Sequence, residues 1–424
     1  MPLKLNPADG VRFAQYKEQS FTRPLFRLRS PETVTVPLFA FGAGTMLPIP
    51  RVGESVAKNS MLARSRNSQS WVVSPVSGKL LRIERKDHPM MGNVLCAVIA
   101  VRDSLPALDV KGHNPSSMTP MGIVQAARMA CIIDEVDGLP LYYKLMKAMN
   151  EDAQLVVADA LDDTPYISSA LKTVSEFGDE ALDGVGMALK ALDGGKALLA
   201  VYDSGDISLE AVVGNFGFTD VCMVGGGYPA WSRFEEERCR GRKVLRIGVQ
   251  ALRALSLAVR DGLPQTEAVM TVCGDCVESA ANIIVPTGVT VEYILRQVGL
   301  KRMPDYVILG DTMRGVTCAS TDVPVMPGIR GICAMSSLDL PKRASGCISC
   351  GRCVEVCPRQ IFVSEIVRLC ERGTKKQAIR YGVSRCDGCG ACSAVCPSGI
   401  EISAMVDELA DMEYAARKQQ AEES

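Results

Sequence analysis

The pattern of apolar and polar positions changes period several times along the chain. From Thr33 to Val101 the apolar residues fall in short runs, Thr33–Phe39, Trp71–Val73, Lys79–Glu84 and Val94–Val101, bounded by Gly, Pro and Ser. Short runs of this composition predict strands, and their spacing predicts a small folded-over β module. A polar, proline-containing linker, Asp103 to Pro120, follows. From Gly122 to Val249 continuous apolar runs at Leu155–Ala158, Ala197–Tyr202 and Val221–Val224 predict buried strands. Thr164–Leu192 and Ile207–Asn215 read as mainly helical between them. That alternation predicts a parallel α/β sheet. Val249–Arg260 predicts a helix, stopped by Asp261-Gly262-Leu263-Pro264. Ala268 to Leu300 predicts strand, turn, strand and helix, and Asp305 to Met335 a further α/β stretch. Toward the end, Val363–Glu371 predicts an apolar-faced helix and Ile379–Tyr381 a short strand. Met405 onward predicts an amphipathic helix running into a charged tail.

Bulk properties narrow the class. A chain of 424 residues with 47% hydrophobic content supports several cores. The net charge of −1 offers no field for nucleic acid or an anionic membrane surface. No apolar run approaches the roughly 18–20 residues of a membrane span. Met1 to Arg23 carries scattered charges and no apolar centre, unlike a secretory signal. With seventeen cysteines, this predicts a reducing, cytoplasmic location. Two histidines, His88 and His113, leave little scope for histidine chemistry.

Eight of the cysteines form two copies of one spacing. Cys347, Cys350, Cys353 and Cys357 precede Pro358; Cys386, Cys389, Cys392 and Cys396 precede Pro397. Disulfides at this density suit small secreted domains, and structural zinc uses pairs of short Cys knuckles rather than four-Cys runs with a trailing proline. C-x2-C-x2-C-x3-C-P twice is the ligand run of ferredoxins with two [4Fe–4S] clusters. Three closely spaced thiolates can meet three irons of a cubane, and the fourth must come from a distant segment. Resemblance to those ferredoxins implies that the fourth cysteine of each run serves the other cluster. The implied sets are Cys347, Cys350, Cys353 with Cys396, and Cys386, Cys389, Cys392 with Cys357.

The order of parts resembles the RnfC family, whose members are peripheral subunits of membrane ferredoxin:NAD oxidoreductase complexes; the proline reductase-associated electron transfer protein of amino-acid fermenters is a relative. Val52-Gly53 with Ser74-Pro75-Val76-Ser77-Gly78 is similar to the family's barrel-sandwich module. Ala258 to Pro264, Val269 to Asp275 and Gly288 are similar to its β-grasp (SLBB) unit. The resemblance implies a multidomain α/β protein: barrel-sandwich module 25–105, parallel α/β domain 118–250 resembling the NADH dehydrogenase flavin domain, β-grasp unit 251–300, α/β return and linker 301–342, two-[4Fe–4S] ferredoxin-like domain 343–402 and helical tail 403–424. The flavin motifs depart from the family. Its Gly-Gly-Ala-Gly-Phe-Pro-Thr loop is replaced within Ala126–Pro140, where Asp134, Glu135 and Asp137 would repel phosphate. Its Glu-Cys-Glu-Pro-Tyr is Asp162-Asp163-Thr164-Pro165-Tyr166, and Trp231 replaces a glycine after Tyr228-Pro229, filling space a nucleotide would use. FMN is therefore disfavoured.

Other features read as structure. Cys273 and Cys276 form a C-x-x-C, but without a thioredoxin-like helix start they read as small buried residues. Cys370 reads as packing on a helical face, Lys58 as surface, and Glu235–Lys243 as a solvated loop. The expected function is electron transfer through two [4Fe–4S] clusters, as an oxidoreductase component rather than a self-contained catalyst. Its expected partners are donor and acceptor redox proteins: a reductase, such as an amino-acid reductase, or a membrane electron-transport complex. The expected location is cytoplasmic, free or peripheral to the inner face of the membrane. The alternatives are an FMN-containing, NADH-oxidising subunit and a non-redox scaffold with structural clusters.

Overall fold

The apolar runs of the first hundred residues pair into two small sheets in a computed structural model, which describes residues 5–6, 10–40, 46–66, 70–209, 220–336 and 345–422. One sheet is antiparallel, in the order Thr33–Pro37, Gly92–Val101, Gly78–His88, Ser55–Val56. The other joins Met46–Pro48, Met61–Ser65 and Trp71–Val73. Val34, Val36, Leu62, Leu80 and Ile99 close the space between them. Gly78 permits the close pairing, because a Cβ there would collide with the Ala100 carbonyl.

The second body is a four-stranded parallel sheet in the order Asp220–Val224, Lys196–Tyr202, Leu155–Ala160, Val244–Gly248. Leu155–Ala160 is buried at every position, as a central parallel strand covered on both faces must be. On one face, Val156, Ala158, Leu199 and Ile247 meet the helices Pro120–Met129, Leu141–Asn150, Ser169–Ala191 and Val249–Arg260. On the other, Leu155, Val157, Ala200 and Tyr202 meet Trp231 and Phe234 of the helix Ala230–Arg238. Gly184 sets the approach of two helices, since a Cβ there would strike the Leu252 carbonyl.

The third sheet begins with the hairpin Glu267–Cys273 and Ala281–Pro286, followed by the helix Val291–Val298. Tyr306–Leu309 then runs antiparallel to Gly331–Met335, which returns parallel to Glu267–Cys273. Hairpin, crossing helix and parallel return make a β-grasp arrangement. Met270, Ile283, Ile294 and Ile332 share one continuous apolar core with Val34, Leu80 and Ile99, so the barrel sandwich and the β-grasp sheet are one packed body.

Several expectations are corrected. The helix Val249–Arg260 packs in the α/β layer, and Tyr306–Leu309 and Gly331–Met335 pair within the β-grasp sheet. Asp305–Met335 holds strands and loops but no helix. Ile379–Tyr381 is a 3-10 turn after the short helix Lys375–Ala378, because no strand lies beside it to pair. The charge run from Glu235 continues the helix to Arg238 before it turns. Ile207–Leu209 is not helical, and the rest of that expected helix, 210–215, lies outside the described residues. The C-terminal helix runs from Ile402 to Glu422.

Replacing Gly184 with valine should force the two helices apart and cost about 1–3 kcal/mol. A lower thermal midpoint with an unchanged far-ultraviolet spectrum at room temperature is the expected result.

Candidate iron–sulfur site

Both cysteine runs fold alike. A left-handed glycine, Gly351 (φ 79°) or Gly390 (φ 74°), precedes a one-turn helix, Arg352–Glu355 or Ala391–Ala394, that carries the third cysteine. In each first loop a backbone N–H turns back to the leading sulfur: Ser349 N donates to Cys347 Sγ and Gly388 N to Cys386 Sγ, both at 3.4 Å. Ile361 N donates to Cys357 Sγ at 3.4 Å. Such donors stabilise thiolate charge. Ser349 has φ 55° where the second run has Gly388, so the loop shape outweighs the side-chain penalty there.

The thiols gather in two groups that cross between the runs. Burial pushes Cys353 up to about 11, and the next causes are Cys347 and Cys350, with Cys396 of the second run also acting on it. Burial likewise pushes Cys389 up to about 11, with Cys386 and Cys357 of the first run adding to it. Cys392 is driven up to about 12 by burial, then by Cys389 and Cys386. Cys357, Cys386, Cys389 and Cys392 line one small cavity, closed by Ile361 and Val406. Among the described residues no three His, Cys, Asp or Glu side chains are placed to hold a single metal ion. A cubane asks for something different: four soft thiolates spread around an inorganic core, with positive iron offsetting their mutual repulsion and burial. The donor set fits that group.

The two sets differ in surroundings. Cys389 is 8% exposed and packs with Val11, Tyr228, Val356, Ala391 and Val395. The Tyr228 hydroxyl donates to the Cys389 carbonyl at 2.5 Å and accepts from Arg314 Nε at 3.1 Å. In the first run Cys350 is exposed and Ile348 is 64% exposed.

A cleft lies between the carboxyl ends of the parallel strands, the loop after Leu309 and the second cysteine loop, and Glu135, Trp231, Arg246, Arg314 and Asp387 line it. Open α/β sheets bind ligands at such strand ends. Here the N-terminus of the helix Val249–Arg260 is already occupied by two side-chain carboxyl groups. Glu135 accepts from Gln250 N at 2.7 Å and Ala251 N at 3.1 Å, and Asp134 accepts from Gly248 N at 3.0 Å. A Cβ on Gly248 would overlap the Glu135 carboxyl. Burial, then the Asp134 charge, push the Glu135 carboxyl up to about 8. The acidic residues expected only to repel phosphate thus satisfy the backbone donors that a phosphate would use. Trp231 is buried, with Arg246 stacked at 3.9 Å from its ring centre.

A strap, Gly10 to Thr22, crosses the same strand ends. Val11 pairs with Tyr228 through two backbone bonds of 2.9 and 2.8 Å, and Tyr166 N donates to the Gln15 carbonyl at 2.6 Å. Lys17 is 0% exposed; its ammonium donates to the Asp162 carbonyl and lies 5.0 Å from the Tyr202 ring centre. Burial lowers its pKa to about 8, against the pull of Asp162, Asp163 and Asp206. Sequence reading missed Lys17, Tyr228 and the capping role of Glu135, because each acts on residues far away in the chain. Cys273 does not pair with Cys276: its sulfur lies 3.3 Å from Cys333 Sγ, and both are fully buried on adjacent strands.

The unfolded chain keeps the Lys17 proton up to 10.5, whereas the folded chain loses it near 8. Folding stability should therefore rise between those pH values, by up to about 3 kcal/mol. Lys17→Met should lack this rise, so the thermal midpoint of the native chain should gain on that of the variant across the window.

Residues 6–104 match the RnfC barrel sandwich hybrid domain, and residues 338–401 match the 4Fe-4S dicluster domain. The C subunit of the proton-translocating ferredoxin:NAD(+) oxidoreductase complex of Clostridium ljungdahlii is 25% identical over 391 residues, covering 87% of this chain and 85% of that protein. Its counterpart in the Na(+)-translocating ferredoxin:NAD(+) oxidoreductase complex of Acetobacterium woodii is 26% identical over 393 residues, covering 86% and 87%. The corresponding protein of the ion-translocating oxidoreductase complex of Rhodobacter capsulatus is 25% identical over 402 residues, covering 88% and 76%. Among solved structures, an NAD+-reducing [NiFe]-hydrogenase in the air-oxidized state overlaps with a TM-score of 0.49 at 12% identity, covering 70% of this chain and 62% of that one. The chain carries an RnfC barrel-sandwich domain and a 4Fe–4S dicluster domain, and over most of its length it is similar to the C subunits of ion-translocating oxidoreductase complexes.

Proposed function

We propose that this chain is an electron-transfer subunit, with Cys347, Cys350, Cys353 and Cys396 holding one [4Fe–4S] cluster and Cys386, Cys389, Cys392 and Cys357 the other. The observation that carries this reading is the crossed grouping of the thiols, with Cys396 beside the first run and Cys357 beside the second. Bound there, the clusters supply one-electron chemistry. The chain's part is to keep the thiolates together, to donate backbone N–H groups to sulfur and to exclude water with Ile361, Val406 and Val395. No side chain is assigned acid–base work. Its partners are electron donor and acceptor proteins, within a membrane complex or attached to a catabolic reductase. Among the described residues no helix is long and apolar enough to cross a membrane. A cytoplasmic location, free or peripheral to a membrane complex, is part of the proposal.

A second reading is an FMN-containing, NADH-oxidising subunit. The cleft beside the second cysteine run and the oxidoreductase names of the relatives favour it. Asp134 and Glu135 weigh against it, since their carboxyl oxygens take up the helix N–H groups where a flavin phosphate would be received. We therefore assign the redox work to the clusters alone.

Anaerobic purification should give about eight irons and eight sulfides per chain without bound flavin, given two four-iron clusters. NADH alone should leave the visible absorption unchanged. Stoichiometric FMN with bleaching by NADH would replace this reading with the second. Cys396→Ala and Cys350→Ala should each remove about half the iron and leave the same remaining electron paramagnetic resonance signal. Cys389→Ala should leave the other. If Cys396→Ala instead matched Cys389→Ala, the crossed sets would be wrong.

A further inference from the structure

We propose that the basic, aromatic face beside the first cysteine run docks an acidic one-electron carrier protein; this deepens, and rests on, the electron-transfer reading. From Ile348 to Arg385 the chain has eight Arg and Lys against three Glu, while the whole chain has a net charge of −1. The positive charge is therefore concentrated in the segment that bridges the two runs, and the rest of the chain is correspondingly acidic. Arg352, Arg372, Lys376, Arg380 and Arg385 are exposed and form no ion pair among the described residues. Arg359 and Lys375, by contrast, are held by Asp387 and Glu408, and Arg368 by Glu365.

Arg352 and Arg372 bring this charge next to the more exposed thiol group. The Glu371 carboxylate accepts from Cys347 N at 2.9 Å, fixing the end of the helix Val363–Glu371 against the first run, and Arg372 follows directly. The same segment also exposes apolar groups: Ile348 within the run is 64% exposed, Phe362 at the start of the helix is 63% exposed, and Tyr381 is 37% exposed and within electrostatic range of Arg368. Exposed aromatics with arginines are the composition of protein interface centres, and the surrounding charge steers an oppositely charged partner during approach. In the second group Cys389 is buried against Val11 and Tyr228, and none of its four thiols is as exposed as Cys350. Each productive encounter moves one electron between chain and carrier, with no bond made or broken.

The test uses the full chain with both clusters loaded and reduced by dithionite. Stopped-flow transfer to a small ferredoxin of net negative charge is measured from about 0.02 to 0.3 M salt, a range that shortens the screening length several-fold. The second-order rate constant should fall at least tenfold across that range, and transfer to cytochrome c, which is basic, should be slow at low salt. A variant carrying Arg372→Glu, Lys376→Glu and Arg380→Glu should be at least tenfold slower with ferredoxin at low salt and lose the salt dependence. Its iron content and its reduction by dithionite should stay unchanged. Phe362→Ala should lower the rate and leave the salt dependence intact. A rate indifferent to salt and to the charge reversal would overturn the docking proposal, while reducible clusters would leave the electron-transfer reading standing. Charge-reversal loss of binding to phosphatidylserine vesicles, with ferredoxin transfer unaffected, would assign the face to a membrane instead. A chain that assembles no reducible clusters would overturn both.

Discussion

The hydroxyl of Tyr228 is the contact on which the arrangement of the domains depends. A phenol buried this deeply must have hydrogen-bond partners, and an orphaned one costs about 1–3 kcal/mol. Its partners come from two other parts of the molecule, the Cys389 carbonyl of the second cysteine loop and Arg314 of the β-grasp sheet's loop. Its own backbone pairs with Val11 of the strap. One side chain thus fixes the cysteine loop against the strand ends, and the cleft takes its shape from that junction. Moving any of the four segments would leave at least one of these polar groups without a partner.

The neighbouring helix start shows how side chains of the protein itself can take up backbone donors at the end of a parallel sheet. The similarity to the relatives, at about 25% identity, extends over most of the chain. Function resides in particular sites placed on such layers. Here Gly248 makes room for a carboxylate, and Glu135 and Asp134 enter where backbone donors converge. The donors remain satisfied by groups already covalently present, so an incoming anion would have to displace them from a buried position. Electrical asymmetry appears elsewhere instead, in the cationic segment between the two cysteine runs.

The parts legible in the sequence are those whose physics is local. The cysteine spacing, the trailing prolines and the nearby glycines specify their loops within a dozen residues. Which run supplies each fourth thiolate is not local, and spacing alone says nothing of it; the ferredoxin resemblance supplied that expectation. Strands such as Leu155–Ala160 and Val94–Val101 were legible because burial on one or both faces leaves a continuous or alternating apolar mark. Ile379–Tyr381 has strand-like residues, yet a strand exists only beside another, and none is there. Gly331–Met335 joins the β-grasp sheet across a long loop, a pairing that no local pattern marks. Lys17 carries no local mark, and Glu135 reads only as a charge that would repel phosphate; their distant partners make them interior groups.

The strap also constrains the order in which the molecule can be completed. Gly10 to Thr22 leaves the ribosome well before its partners, Asp162, Tyr166, Tyr228 and Asn282. At roughly 5–20 residues per second, the last of these emerges tens of seconds later. Until then Lys17 has no interior to occupy and remains an ordinary hydrated cation. A segment made before its partners is therefore among the last to settle. It acts as a latch that closes only after the parallel sheet and the β-grasp hairpin have been synthesised and brought together.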